Sequence, residues 1–265
     1  MIQIPGVAGL PIAVLGLGKS GLVAARALAA SGARVRAWDD NRATRETAAA
    51  SGIEIVDLMS ADWTGMTALV ISPGIPHDHP KPHAVAALAR QRGASIIGDI
   101  ELLARARREA TYIGITGTNG KSTTTALIGH VLKTVGRTVQ VGGNIGVPVT
   151  DLVSPSTPES HIVLELSSFQ LETIESFKAQ TSLVLNITPD HLDRHHTMAR
   201  YIDAKARLVE TQTADGFTVL NAAEPNARAL ASRTKAKVIW FNLDAPSESG
   251  VAWADNQIWL GLTPL

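Results

Sequence analysis

The 265-residue chain has no cysteine, few aromatic residues and no excess of either charge. Without cysteine it can form no disulfide, thiolate metal site or cysteine nucleophile. Its formal net charge of zero argues against nucleic-acid binding, because nucleic-acid-binding proteins usually carry excess Lys and Arg. No apolar run reaches the roughly 18 residues that cross a membrane, and Met1–Pro5 does not begin a secretory signal. We therefore expect a cytoplasmic protein with neither a nucleic-acid partner nor a membrane span.

The scarcity of aromatic residues indicates an aliphatic core, because 45% of the residues are nevertheless hydrophobic. The length fits one large or two ordinary domains. Strand-like and helix-like stretches alternate through the first hundred residues and again from Thr111 onward, which predicts an α/β fold with parallel sheets. We place a domain boundary near Arg108, which divides the chain into residues 1–108 and 109–265.

A phosphate-binding loop is the strongest motif. Thr116-Gly-Thr-Asn-Gly-Lys121-Ser122 lies between a predicted buried strand and a predicted helix. Its glycines allow backbone N–H groups to converge on a phosphate at the positive end of the helix. Lys121 is then expected to reach the β- and γ-phosphates, and Ser122 to bind Mg²⁺. Ile115 replaces the first glycine of the general motif, and the alternative is a glycine-rich turn that only starts a helix.

A second glycine motif follows the first predicted strand. Gly16-Leu-Gly18-Lys-Ser-Gly21 precedes Asp39 by about twenty residues, the arrangement of a dinucleotide-binding Rossmann-like unit. Alone, it favours an NAD-dependent oxidoreductase, and its structural alternative is a tight packing turn. The turn Ser72-Pro73-Gly74 ends a third strand, so it is expected to line the same crevice unless it is a simple turn.

Further polar clusters follow other predicted strands of the second unit. Glu165 ends one strand and is a candidate Mg²⁺ ligand, although it could equally be a solvent-exposed residue at a helix start. The Asp190–Arg194 cluster, with His191, favours a ligand or phosphate role, whereas His195 and His196 are interpreted as polar loop residues. Asn144, within Gly142–Gly146, could bond a phosphate or acyl oxygen or belong to a plain turn.

Lys205 lies in the middle of an apolar helical arc. At 100° per residue, Tyr201 and Leu208 share its face, whereas Glu210 lies opposite. An unpaired ammonium group there is costly. The side chain can extend its charge to water, or it can lose its proton and react with CO₂. The resulting carbamate is an oxygen ligand suited to a second Mg²⁺.

Together these motifs resemble the Mur ligases of bacterial peptidoglycan synthesis. The resemblance is carried by the two glycine motifs, Ser72-Pro-Gly-Ile75, Gly143-Asn-Ile-Gly146, Glu165-Leu-Ser-Ser-Phe-Gln-Leu171 and Asp190-His-Leu-Asp-Arg194. It is nearest to the branch that joins D-glutamate to UDP-N-acetylmuramoyl-L-alanine. The implied fold is a Rossmann-like N-terminal domain followed by a P-loop α/β domain, and the implied reaction is an ATP-dependent ligation through an acyl phosphate.

The resemblance also implies roles for individual residues. The ATP-binding residues are Thr118, Asn119, Gly120, Lys121, Ser122, Thr123 and Thr124. The UDP-substrate-binding residues are Gly18, Lys19, Ser20, Asp39, Ser72, Pro73, Gly74, Asn144 and His191. The implied ligands of two Mg²⁺ ions are Ser122 and Glu165 for one, and His191 and carbamylated Lys205 for the other. The implied catalytic residues are Lys121, Asn144, His191 and Lys205.

The end of the sequence departs from the family pattern. A Gly-x-His-Asn-x-x-Asn segment and a third domain, which the family uses to bind the amino acid, do not occur before Leu265. We therefore expect a truncated ligase, monomeric, that keeps its uridine-nucleotide site but turns over poorly or not at all. The alternatives are the NAD-dependent oxidoreductase and a non-catalytic nucleotide-binding protein.

Overall fold

The computed structural model describes residues 1–152 and 160–264, so the loop expected at 153–158 lies outside the described residues. The first part of the chain forms a four-stranded sheet in the order β2-β1-β3-β4, with every pair parallel. Its elements are β1 (Pro11–Leu15), α1 (Lys19–Ala30), β2 (Arg34–Trp38), α2 (Arg42–Ala50), β3 (Ala68–Ile71), α3 (Ala84–Gln91), β4 (Ser95–Ile97) and α4 (Asp99–Ala106). Strands alternate with helices, as the sequence pattern predicts.

The second part forms a nine-stranded sheet around the phosphate-binding motif. Its elements are β5 (Thr111–Thr116), α5 (Lys121–Thr134), β6 (Val139–Gly143), β7 (His161–Glu165), α6 (Ser168–Leu171), β8 (Thr181–Val184), α7 (Leu192–His195), α8 (Met198–Glu210), β9 (Phe217–Asn221), α9 (Pro225–Ala229), β10 (Lys237–Leu243), β11 (Gly250–Ala254), β12 (Gln257–Leu260) and β13 (Thr263–Pro264), with 3₁₀ turns at Val149–Asp151 and Leu230–Arg233. The order is β13-β12-β11-β10-β9-β8-β5-β7-β6.

Strands β5 to β11 pair in parallel, whereas β12 pairs antiparallel with β11 and with β13. The sequence also predicts a hairpin through Asp255-Asn256. The structure confirms it, because β11 and β12 pair antiparallel across these residues and both have left-handed φ angles, of 50° and 61°, as a two-residue hairpin turn requires. The parallel α/β class is also confirmed.

One apolar cluster joins the two sheets. It runs from Ile2 and Ile4 through α1 and α4 to β7 and Phe177. Helix α4 packs toward both units, because buried Glu101 accepts hydrogen bonds from the backbone N–H groups of residues 175–177. The boundary near Arg108 falls directly after this shared helix and stays a prediction. Among the described residues, no helix is long and apolar enough to cross a membrane.

Candidate functional site

A cavity of about 230 Å³ lies at the carboxyl ends of β5 and β7. All four residues expected to be catalytic line it together. Its lining residues are Lys121, Asn144, Ser167, Ser168, Phe169, Asp190, His191, Tyr201 and Lys205. Because the carboxyl ends of parallel strands meet at one edge, the fold gathers side chains that are far apart in the sequence.

A side chain that follows the neighbouring strand β8 holds the phosphate-binding loop. Asn186, just after β8, accepts hydrogen bonds from the N–H groups of Thr118 and Asn119 at 3.0 and 2.9 Å. Gly120 has a left-handed φ of 84° at the start of α5, a conformation that favours glycine. The first N–H groups of such a helix lack intrahelical acceptors, so this geometry suits an anion.

Some side chains of the phosphate-binding loop form hydrogen bonds within the protein, and others are exposed to solvent. The Lys121 ammonium donates to the carbonyl oxygens of Gly117 and Thr118 at 2.9 and 2.8 Å. The Thr118 hydroxyl contacts Tyr201 Oη at 3.2 Å. Ser122 and Thr123 are exposed on the first turn of α5 and Thr124 is half-buried, so the expected ATP-binding residues lie in one continuous segment around the helix start.

Lys205 is buried as its place on the helical arc suggested, with 2% of its surface exposed. Its ammonium donates to the Gly117 carbonyl at 2.8 Å and lies 4.7 Å from the Tyr201 ring centroid. Burial, followed by repulsion from Lys121, lowers the pKa of Lys205 to about 7. A substantial neutral fraction therefore exists near neutral pH, which is the form that reacts with CO₂.

Glu165 and Asn144 form a hydrogen-bonded pair beside the cavity. Glu165 is buried at the end of β7, and its carboxylate accepts from the Asn144 amide at 3.2 Å. The Asn144 N–H donates to the Glu165 carbonyl at 2.9 Å. These contacts exclude the reading of Glu165 as a solvent-exposed residue at a helix start, because its side chain faces the glycine turn after β6.

His191 also lines the cavity. Its φ of 49° is left-handed, an uncommon conformation for a residue other than glycine that is frequent at functional sites. The half-exposed imidazole lies 3.4 Å from the Asp190 carboxylate and 5.1 Å, between ring centroids, from Phe169. The ring is therefore accessible to a ligand and held by two neighbours.

The glycine motif of the first sheet is packed tightly against the Ser72 turn. A Cβ at Gly21 would lie 1.8 Å from the Gly16 carbonyl oxygen, so only glycine fits there. The Ser72 hydroxyl donates to that same carbonyl at 3.0 Å. The Asp39 carboxylate accepts from the N–H groups of Leu17 and Asn41 at 2.7 and 2.8 Å. The expected UDP-binding residues Gly18, Lys19, Ser20, Asp39, Ser72, Pro73 and Gly74 thus surround one loop.

The first glycine loop, residues 16–21, contacts the glycine-rich turn at residues 142–146. The Lys19 ammonium donates to the Gly146 carbonyl at 2.8 Å, which joins the start of α1 to the turn that carries Asn144. A ligand that lies along the first loop can therefore reach toward the cavity. None of the expected UDP-binding residues of the first sheet lines the cavity itself.

The sequence interpretation of His195 as a polar loop residue is wrong. His195 is only 1% exposed; its Nε2 lies 2.9 Å from the Ser168 hydroxyl, and its ring stacks on Phe169. His196 is exposed, as expected. Sequence reasoning also missed that Tyr201 and Ser168 line the cavity, because an apolar arc and a family motif do not show which side chains face a site.

Two of the expected Mg²⁺ ligands, His191 and Lys205, line this cavity. Among residues 1–152 and 160–264, no group of three or more His, Asp or Glu side chains is arranged to hold a metal ion. The expected ligand sets instead combine a hydroxyl group with Glu165, and an imidazole with a modified lysine. The chemistry of Ser122 and Glu165 suits Mg²⁺, which prefers oxygen ligands and retains several waters.

Two protein families match the sequence. The Mur ligase middle domain matches residues 115–258, and the MurD-like N-terminal domain of Mur ligases matches residues 11–98. UDP-N-acetylmuramoylalanine--D-glutamate ligase of Phenylobacterium zucineum is 47% identical over 85% of this chain and 49% of its own length. The Rhizobium meliloti ligase of the same name is 45% identical over 95% of this chain and 55% of its own length. The chain thus spans about half the length of these curated relatives.

Solved structures are similar in fold. UDP-N-acetylmuramate:L-alanyl-gamma-D-glutamyl-meso-diaminopimelate ligase from Neisseria meningitides has a TM-score of 0.62 at 18% identity, covering 97% of this chain and 86% of its own. A murein peptide ligase from Psychrobacter arcticus has a TM-score of 0.56 at 17% identity, and the match covers 94% of this chain and 57% of that ligase. At these identities the similarity concerns the fold alone.

Proposed function

The chain belongs to the Mur ligase family, and on that premise we propose that it carries the two nucleotide sites of a ligase that joins D-glutamate to UDP-N-acetylmuramoyl-L-alanine. ATP and Mg²⁺ fit this family in general. Relatives that are 45–47% identical carry the name of that ligase. The observation that carries the proposal is the convergence of Lys121, Asn144, His191 and Lys205 on one cavity.

ATP is proposed to bind across Thr118–Thr124, with its phosphates at the start of α5. The N–H groups of this turn and the αL conformation of Gly120 provide an anion site. Lys121, which donates to two loop carbonyls, can exchange those neutral acceptors for a phosphate oxygen. That exchange replaces ordinary hydrogen bonds with stronger charge-assisted ones.

Two Mg²⁺ ions are proposed, one held by Ser122 and Glu165 and one by His191 and carbamylated Lys205. Bound Mg²⁺ neutralises phosphate charge during phosphoryl transfer. For the carbamate, the neutral Lys205 amine attacks the carbon of CO₂, forms an N–C bond and releases one proton. The depressed pKa of Lys205 supports this step, because the protonated amine has no lone pair to donate.

The uridine nucleotide is proposed to bind along the first glycine loop. Gly18, Lys19 and Ser20 begin α1, where N–H groups are available to a diphosphate. Asp39 and the turn Ser72–Gly74 border the same loop. The contact from Lys19 to Gly146 supports a path by which the sugar peptide extends toward Asn144 and His191.

The proposed reaction has two steps. The terminal carboxylate of UDP-N-acetylmuramoyl-L-alanine attacks the γ-phosphorus of ATP, so that an acyl phosphate forms and ADP leaves. The amine of D-glutamate then attacks the acyl carbon, and the tetrahedral intermediate expels inorganic phosphate as the amide forms and the amine loses a proton. Lys121 stabilises the negative charge where the substrate carboxylate approaches the γ-phosphate of ATP.

Calorimetric titration of this chain tests the ATP site. Lys121→Ala is expected to weaken binding of a non-hydrolysable Mg·ATP analogue at least tenfold, about 1.4 kcal/mol, while UDP-N-acetylmuramoyl-L-alanine binding stays within twofold. Lys133→Ala, on the exposed face of the same helix, is the matched control and is expected to leave both affinities unchanged. Binding of NADH in place of the UDP-sugar would instead favour the oxidoreductase.

A further inference from the structure

Glu172, directly after α6, contacts three cationic or titratable side chains at once. Its carboxylate lies 3.3 Å from His195 Nδ1, 3.4 Å from His77 Nε2 and 3.5 Å from Arg194 Nη2. The side chain is 17% exposed. Burial alone would raise the pKa of Glu172, but the adjacent imidazoles of His195 and His77 and the charge of Arg194 hold it at about 2. Glu172 is therefore a carboxylate at neutral pH.

One side of this network reaches the cavity. His195 joins Glu172 to the Ser168 hydroxyl through its two ring nitrogens, at 3.3 and 2.9 Å. The ring also stacks on Phe169, with 5.4 Å between centroids and 15° between planes. Phe169 in turn contacts His191. Because Ser168, Phe169 and His191 all line the cavity, the orientation of His195 fixes part of its wall.

The other side reaches the first sheet, at residues 72–83, which we name the β3–α3 segment. The Arg194 guanidinium donates to the carbonyl oxygens of Ile75 and His79, and His77 contacts Glu172. This segment begins with the turn Ser72–Gly74, whose serine also bonds the glycine loop. The network thus connects the expected uridine-nucleotide turn with the cavity at the phosphate site.

We propose that Glu172 is a positioning residue that couples binding of a uridine diphosphate sugar at the first sheet to nucleotide binding at the second. This proposal rests on the proposed function for the identity of the two ligands. A ligand on the Ser72 turn orders the β3–α3 segment, and this segment contacts Arg194. Arg194 contacts Glu172, which in turn orients His195 and, through it, Ser168. The second ligand then meets a wall that is already ordered, so each ligand strengthens the other by the same factor.

Calorimetry on three proteins measures the coupling. UDP-N-acetylmuramoyl-L-alanine is titrated into the chain with and without a saturating non-hydrolysable Mg·ATP analogue. We expect the wild type to bind the UDP-sugar at least about fivefold more tightly with the analogue present. Glu172→Gln keeps the size of the side chain but removes the negative charge that faces Arg194. We expect each ligand alone to bind within about twofold of its wild-type affinity, and the strengthening of UDP-sugar binding by the analogue to disappear. Glu210→Gln, whose carboxylate pairs with Arg233 on the nearby surface, retains the enhancement.

Amide hydrogen exchange of the ligand-free proteins provides a readout independent of either ligand. The Ile75 and His83 amides donate within the β3–α3 segment at 3.0 and 2.8 Å. Their exchange is expected to accelerate in Glu172→Gln and in Arg194→Lys, which keeps the charge but loses the forked donor, and to stay unchanged in Glu210→Gln.

Four outcomes decide between these possibilities. Unchanged exchange in Glu172→Gln overturns the inference whatever the ligands are. The inference is also overturned if Glu172→Gln binds both ligands and the ATP analogue strengthens UDP-sugar binding as much as in the wild type. It is overturned as well if the wild type binds both ligands but the analogue does not strengthen UDP-sugar binding. If the wild type binds no UDP-sugar but the exchange changes appear as expected, the proposed function fails while the mechanical connection through Glu172 stands.

Discussion

A single buried ammonium group, that of Lys205, determines whether the cavity can hold its second proposed metal ion. The same carbonyl oxygen of Gly117 accepts from both Lys205 and Lys121, so the two ammonium groups lie close together, and that of Lys205 is buried. Burial and this repulsion both favour the neutral amine. The pKa of Lys205 is therefore lowered to about 7.

We predict a carbamate on Lys205. With ¹³C-labelled bicarbonate, the wild type and Lys133→Arg are expected to give a carbamate resonance in NMR spectra, and Lys205→Arg, which keeps the charge but cannot lose its proton, is expected to give none. The signal should grow as the pH rises through about 7, the pKa of Lys205, because only the neutral amine reacts. Equal signals from wild type and Lys205→Arg would contradict the assignment.

Glu172 gives a second pH-dependent prediction. Its pKa of about 2 in the folded chain lies below the ordinary value of 4.5, so its contribution to stability is complete above pH 4.5 and disappears as the pH falls toward 2. Glu172→Gln is expected to lower the free energy of unfolding by up to about 3 kcal/mol above about pH 5. Urea unfolding at several pH values checks this; a gap between the two proteins that persists undiminished at pH 2 would disprove it.

At the scale of elements, the start of α1 is fixed by a contact between two glycines. A Cβ on Gly21 would lie 1.8 Å from the Gly16 oxygen, whereas Gly18 has no heavy atom within 4 Å of its Cβ position. Gly21→Ala is therefore expected to cost about 2–3 kcal/mol of unfolding free energy through overpacking. Gly18→Ala is the control and is expected to cost under about 1 kcal/mol. Equal urea midpoints for both variants would show that the loop can relax.

The sequence predicted most elements near the site because apolar runs and glycines mark them. Strand β5 and the start of α5 are bounded as predicted, since the motif between them needs a strand, a loop and a helix. Helix α2 was not anticipated: Ala48 is its only buried residue, so it has no apolar periodicity to detect. His195 was misjudged because its partners Ser168 and Glu172 are 27 and 23 positions away in the chain, and only the folded chain brings them together.

At the scale of the whole molecule, the two sheets share an apolar cluster, and Glu101 adds a buried polar contact between them. Glu101 is fully buried in α4 and accepts hydrogen bonds from the N–H groups of Glu175 and Ser176, both at 2.8 Å. Because of these shared contacts, we expect the two units to fold and unfold together. The monomeric state and the boundary at Arg108 stay predictions.

We predict one cooperative unfolding transition that depends on this Glu101 contact. Tryptophan fluorescence and far-UV circular dichroism should give coincident urea midpoints for the wild type. Glu101→Ala, which leaves buried N–H groups without an acceptor, is expected to lower the free energy of unfolding by about 3 kcal/mol. Glu109→Ala, on the exposed surface nearby, should have little effect on the free energy of unfolding. Similar decreases in both variants would show that the Glu101 hydrogen bonds do not stabilise the fold.

Native mass spectrometry tests the central claim, that one chain holds two different nucleotides at adjoining sites. Mixed with UDP-N-acetylmuramoyl-L-alanine and a non-hydrolysable Mg·ATP analogue, the chain is predicted to carry one of each at the same time. Lys121→Ala should lose the ATP analogue and keep the UDP-sugar. Displacement of one nucleotide by the other, or binding of only one of the two at saturating concentrations, would contradict the account.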